Sequence, residues 1–126
     1  MKGQEKEMSN SITTKLGQIV IAEELLAMLA GYAAIECYGL VGMSSRKLKD
    51  GIIELLGRDN LSKGVQIKLD DDQLVVDLYI VVSYGTRIPQ VAKNVMEKVQ
   101  YTLEHITGLK VSQVNVNIQG VQVVNR

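Results

Sequence analysis

Leu74–Pro89, LVVDLYIVVSYGTRIP, is the stretch on which the fold turns. Leu74, Val76, Leu78, Ile80, Val82 and Tyr84 fall on one side of an extended chain, and Val75, Asp77, Tyr79, Val81 and Ser83 on the other. A period of two over eleven residues predicts a β-strand whose first face is the core face. Tyr84-Gly85-Thr86-Arg87-Ile88-Pro89 then reads as a turn into a helix. The residue before proline is pushed out of helical geometry, so Ile88 suits the N-cap and Pro89 the first helical position. From Pro89 to Thr107, Val91, Ala92, Val95, Met96, Val99, Leu103 and Ile106 make one apolar side. Lys93, Asn94, Glu97, Lys98, Gln100, Glu104 and His105 make the other, and Gly108 is the expected stop.

Upstream, Val65, Ile67 and Leu69 alternate with Gln66 and Lys68, and Asp70-Asp71-Asp72 turns this strand into the central one. Downstream, Lys110–Gln119 predicts a last strand with Val114, Val116 and Ile118 on one face and Gln113, Asn115, Asn117 and Gln119 on the other. Nearer the start, a short strand is expected over Lys15–Ile21 and a helix from Ala22 to Cys37. That helix has Leu25, Leu26, Leu29 and Ala33 as its stripe and Ala27, Ala30, Gly31 and Ala34 allowing close approach. A short extended piece, Leu40–Met43, follows. Ser44-Ser45 would cap a second helix over Arg46–Leu56, with Leu48, Ile52, Leu55 and Leu56 inward, before a polar loop over Arg58–Gly64.

The expected fold class is α+β. A small mixed sheet of about three main strands has three helices packed on one face, in the order β-α-(β)-α-β-β-α-β. Residues 1–14 are expected as a mobile leader, 15–120 as a single domain and 121–126 as a Val-containing tail.

The 126 residues hold 14 basic and 14 acidic side chains. Zero net charge lacks the footprint of a dedicated nucleic-acid binder. Phe and Trp are absent, so the core must be aliphatic. A single Cys allows no internal disulfide and fits a reducing compartment. The stretch MKGQEKEMSN has no apolar signal region, and Leu25–Ile35, the longest mostly apolar run, is too short to span a bilayer. A cytoplasmic chain is expected.

The chemical inventory is thin. His105, the lone histidine, sits near a helix C-terminus, where its cation suits the helix dipole, and no nucleophile or carboxylate is placed beside it. Cys37 closes the first helix as a free thiol of ordinary kind. One Cys and one His make a zinc site within one chain unexpected, and three consecutive aspartates lack the ligand spacing of a calcium loop. No catalytic, cofactor or metal residue is therefore assigned. Gly39-Leu40-Val41-Gly42 formally matches the Gly-x-x-Gly clamp of KH RNA-binding domains. With Arg46, Lys47 and Lys49 nearby it defines an alternative, a KH-like RNA-binding module. Against this stand the apolar middle residues of the clamp.

The outer sheet face, with Tyr79, Ser83, Asn115, Asn117 and Gln119, is polar but almost uncharged, and Arg87 crowns the turn. These six residues are the candidate partner surface.

Asp77–Pro89 followed by Val91-Ala92-Lys93-Asn94-Val95 resembles the alkaline-shock-protein family of Gram-positive bacteria. Gly17–Ile21, Tyr38–Met43, Asp50-Gly51 with Leu55-Leu56-Gly57, Ser62–Val65, Thr107-Gly108-Leu109 and Val114–Val116 with Gln119-Gly120-Val121 agree in order, so the likeness covers about residues 15–121. The short chain is similar to the housekeeping branch. The resemblance implies a non-enzymatic, cytoplasmic interaction or scaffold protein in envelope stress or lipid homeostasis. It also implies self-association into a homo-oligomer. As partners it implies a membrane-anchored family member, which would hold the chain peripherally at the membrane, or a lipid-metabolism enzyme. It implies no cofactor and no catalytic residues, and nucleic acid is not the expected partner.

Overall fold

The computed structural model describes residues 11–13, 20–46 and 51–124, with side chains over 23–46 and 51–124. Its elements are β1 (Ser11–Thr13), β2 (Val20–Ala22), α1 (Glu23–Ile35), β3 (Leu40–Met43), a 3-10 segment (Arg58–Gly64), β4 (Val65–Asp70), β5 (Gln73–Ser83), α2 (Ile88–Thr107) and β6 (Lys110–Gln122). The chain is an α+β domain with a mixed sheet.

β5 is the centre of that sheet. β6 runs parallel to it along its whole length, from Gln73↔Lys110 to Ser83↔Gln122. The opposite edge of β5 is therefore shared end to end by two antiparallel strands, β4 against Gln73–Leu78 and β3 against Ile80–Val82. This makes a sheet three strands wide, with its third position split. A parallel β5–β6 pair requires a crossover, and α2 supplies it.

Local chemistry explains the element ends. Asp71 and Asp72 both take positive φ, 50° and 66°, the two-residue turn that matches hairpin twist, and Asp is among the few non-glycine residues that tolerate it. Arg87, rather than Ile88, is the N-cap of α2, and Pro89 stands one residue further in; Gly108 closes the helix at φ 76°.

The core is aliphatic. Leu74, Val76, Leu78, Ile80 and Val82 of β5 are fully buried against Leu26, Ala30 and Ala34 of α1 and Val91, Val95, Val99 and Leu103 of α2. The buried stripe of α1 is Leu26, Ala27, Ala30, Gly31, Ala33 and Ala34. Leu25, expected inward, is half exposed. Gly31 is needed because the Cβ of Leu61, on the 3-10 segment, lies 2.9 Å from where a Cβ would stand.

Among the described residues one expected element is absent where it was placed. Arg46 and residues 51–56 of the expected Arg46–Leu56 helix are not helical, and residues 47–50, with Leu48, lie outside the described residues. The chain there is extended: Ser44 bridges Leu55, Leu56 N–H donates to Met43 C=O at 2.9 Å, and Ser45 N–H donates to Glu54 C=O at 3.3 Å. Ile52 and Leu55 are exposed and Leu56 packs against the core. Backbone pairing with the end of β3 outcompeted a helix of few turns, which has little intrinsic stability. The third helix is instead the 3-10 segment, kinked at Asn60.

At the N-terminal end, β1 pairs with β2 in antiparallel register, Ser11↔Ala22 to Thr13↔Val20. The other residues of the expected leader, and Lys15–Ile19 of the expected first strand, lie outside the described residues. β6 extends through Gln122, into the stretch expected as tail.

Candidate interaction surface

The register brings three of the six expected surface residues together. Asp77 lies between Gln66 and Asn115, and Tyr79 beside Asn117, on the sheet face away from α1 and α2. Asn115 Nδ2 donates to Asp77 Oδ1 at 2.7 Å, and Gln113 Nε2 donates to Asn115 Oδ1 at 3.0 Å. Asn117 Nδ2 donates to the Leu78 carbonyl at 3.1 Å. The amides thus hold one another and the sheet, which leaves this face fixed in shape and short of charge.

Gln119 does not join them. The β5–β6 register slips between Ile80 and Val81, leaving Gln119 as the extra residue of a bulge, and its Nε2 donates to Ser45 C=O at 3.3 Å. Gly120 becomes the partner of Val81, and an Ile53 methyl stands where a Gly120 Cβ would go. The extended 51–57 segment therefore crosses this end of the outer face, and Val81 is 0% exposed. The expected open polar face is closed at one end.

Ser83 and Arg87 belong to a separate place, the apex where two Tyr-Gly turns meet. Ser83 N–H donates to Gly39 C=O at 2.8 Å, Thr86 Oγ1 donates to Ser83 C=O at 2.7 Å, and Tyr84 N–H donates to Gln122 C=O at 2.7 Å. Gly39 has φ 91°, and a Cβ there would lie 2.7 Å from Val91 Cγ2, so only glycine lets this turn lie against α2. Around the joined turns, Tyr38 is 84% and Tyr84 73% exposed, with Val123 and Val124 beside them also exposed. A cleft of about 340 Å³ opens between Cys37, Tyr38, Leu40, Ser83, Thr86 and Val124. Tyr84, expected on the core face of the central strand, is instead past its end, because β5 stops at Ser83. Tyr38, Tyr84 and the valines are exposed residues of this apex that were not among the six expected; the repeated Tyr-Gly pair was the available signal.

The Gly-x-x-Gly reading is overturned. Leu40–Met43 is strand β3, paired along one edge with Ile80–Val82, so Gly39–Gly42 runs from a turn into the sheet and is no loop between helices. Arg46 lies near Glu23, whose carboxyl burial raises and the Arg46 charge lowers, with the former larger. Arg46 thus has an acidic neighbour. Lys47 and Lys49 lie outside the described residues.

Other candidate chemistry stays ordinary. Burial raises the Cys37 thiol, with Lys98 opposing and Glu36 adding, so the thiolate is disfavoured. His105 is exposed and stacks on Tyr101, ring centres 5.6 Å apart. No group of three or more His, Cys, Asp or Glu residues that could hold a metal ion occurs among the described residues. No helix among the described residues is long and apolar enough to cross a membrane.

Fold and surface together define a small α+β domain that presents a fixed amide face and an apolar apex. The chain belongs to the alkaline shock protein 23 family, described by a cell envelope-related function, whose family model matches residues 11–123. It is 50% identical to the uncharacterized protein YloU of Bacillus subtilis over 94% of this chain and 99% of that protein. It is 38% identical to the uncharacterized protein YqhY of the same organism over 86% of this chain and 80% of that one. A stress response regulator gls24 homolog of Streptococcus pyogenes is 26% identical over 90% of this chain but only 64% of its own length. No solved structure matches this chain.

Proposed function

We propose that this protein is a non-catalytic scaffold of cell-envelope stress or lipid homeostasis, acting through self-association and protein partners. The observation that carries this reading is the apex. Two exposed tyrosines and two exposed valines surround a cleft held by backbone hydrogen bonds, and amphipathic aromatic side chains on a rigid frame are what protein contacts favour. The cell envelope-related description of the family supplies the setting. The chain would work in the cytoplasm and reach the membrane through a partner, for which a membrane-anchored family member or a lipid-metabolism enzyme is the natural candidate.

A fluorescent fusion of the full chain in a Gram-positive cell tests this. Wild type should concentrate at the cell periphery, and Tyr38→Ser with Tyr84→Ser should disperse it while the purified variant unfolds at an unchanged temperature. A uniform signal for wild type under both unstressed and alkaline growth overturns the envelope reading.

A further inference from the structure

β6 pairs with β5 along one edge, and among the described residues no strand covers the other edge. Strands left open in this way are usually protected by charge, proline or short length, because their free N–H and C=O groups recruit another strand. β6 has thirteen residues, and from Val111 to Gln122 it contains no charged residue and no proline.

We propose that this edge pairs with β6 of a second copy of the chain, antiparallel, about a two-fold axis through Val116. This deepens the self-association part of the function proposed above and rests on it. The stretch Gln113-Val114-Asn115-Val116-Asn117-Ile118-Gln119 is nearly palindromic in residue type about Val116. A two-fold axis perpendicular to the sheet sets Val116 against itself, Asn115 against Asn117 of the second copy, Val114 against Ile118 and Gln113 against Gln119. Each pair is alike in polarity and none brings like charges together, as an isologous contact requires.

The structure brackets six of these seven residues, Gln113–Ile118, and the seventh, Gln119, is itself the second bulge. Bulges fall at Ser112 and Gln119, where the β5–β6 register slips. Just before the first bulge, Val111 is already capped by α2: its N–H donates to Glu104 Oε2 at 2.9 Å, and its C=O accepts from Gln100 Nε2 at 3.2 Å.

The apolar side is also incomplete in one copy. Val114 and Val116 are half-buried and Ile118 is 38% exposed. A cleft of about 340 Å³ opens beside Val114, between β6 and the α2 residues Lys93, Met96, Glu97 and Gln100. Ile118 of the second copy, opposite Val114, would enter that cleft, whose rim carries one charge of each sign and so does not repel its own copy.

The test uses the full chain. In a Cys37→Ser background, Val116→Cys should form a disulfide-linked dimer under mild oxidation, because directly opposed residues bring their Cα atoms within about 5.5 Å. Val114→Cys should not, since the two copies of residue 114 would lie four residues apart, roughly 13 Å along the strand. By light scattering, wild type should have twice the chain mass. Asn115→Lys with Asn117→Lys should halve that mass, and Asn115→Lys with Asn117→Asp should restore it. A wild-type monomer at all concentrations overturns the proposal. So does a dimer that survives the double-lysine change, or equal cross-linking at 114 and 116. A Val116→Cys chain that stays single because its own N-terminal residues or another protein's strand cover the edge also overturns it. A dimer joined elsewhere would leave the scaffold reading intact and remove only this geometry.

Discussion

β5 and β6 are parallel neighbours with matched alternation, yet they live in different environments. In β5, Leu74, Val76, Leu78, Ile80, Val81 and Val82 are completely buried. In β6, the register partners Val114, Val116 and Ile118 of Val76, Leu78 and Ile80 are only half-buried or exposed. Hydrophobic pattern marks a face. Position in the sheet decides how much of that face is covered: β5 has strands on both edges and two helices above it, whereas among the described residues β6 has one strand and the margin of α2. The fold depends on β5, while among the described residues no strand covers the far edge of β6.

The sharpest way to break this comparison is to truncate the register partners Leu78 and Val116. Leu78→Ala should cost about 2–5 kcal/mol in urea unfolding, as full burial leaves a cavity that cannot close. Val116→Ala, at a half-covered site, should cost about 1 kcal/mol. Equal costs would mean that β6 is as enclosed as β5.

A second contrast lies within β5, on its outer face. Val81 is sealed by the 51–57 segment, whereas Val75 is half-buried. Val81→Ala should lose roughly 1.5 kcal/mol and Val75→Ala about half of that. If the two lose the same, Ile53 does not cover the sheet.

Asn115→Ala removes the donor to Asp77 and should cost about 1 kcal/mol, because water still reaches this part of the face. A guanidinium denaturation series is sufficient to read it, and no loss would mean that the amide chain is ornamental to stability.

The smallest effect belongs to Glu23. Burial at the start of α1 raises its carboxyl above the ordinary 4.5, with Arg46 opposing. The folded state then holds the proton more tightly than the unfolded chain. The site's stabilising contribution is present below 4.5 and is lost as pH rises through the folded value. Glu23→Gln should flatten that decline, seen as a small gain in melting temperature over wild type toward neutral pH.

Much of the molecule was legible before any coordinates. The hairpin through the aspartates, the core face of β5 from Leu74 to Val82, the strand at Leu40–Met43 and the helix ended by Gly108 all follow from period and turn chemistry acting within a few residues. The Arg46–Leu56 helix failed because its apolar spacing fits a helix and an extended segment pinned to β3 almost equally, and only the partner strand chooses between them. Tyr84 failed because alternation does not say where a strand stops. Of the six surface residues, Tyr79, Asn115 and Asn117 gather as the pattern implied, since a shared face follows from parity. Gln119 was displaced by a bulge, and Ser83 and Arg87 lie at the apex.

By itself the sequence determined the α+β class, the aliphatic core of the central strand, and family membership, because these rest on composition, period and ordered motifs along one chain. Only the tertiary structure decided that β3 and β4 divide one edge of β5 while, among the described residues, β6 keeps an open one. It alone set the Ile53 segment across the outer face and drew the two Tyr-Gly turns into one apex. Those outcomes depend on which distant segments compete for the same backbone hydrogen bonds, and that competition is settled by register and space, to which local residue order is blind.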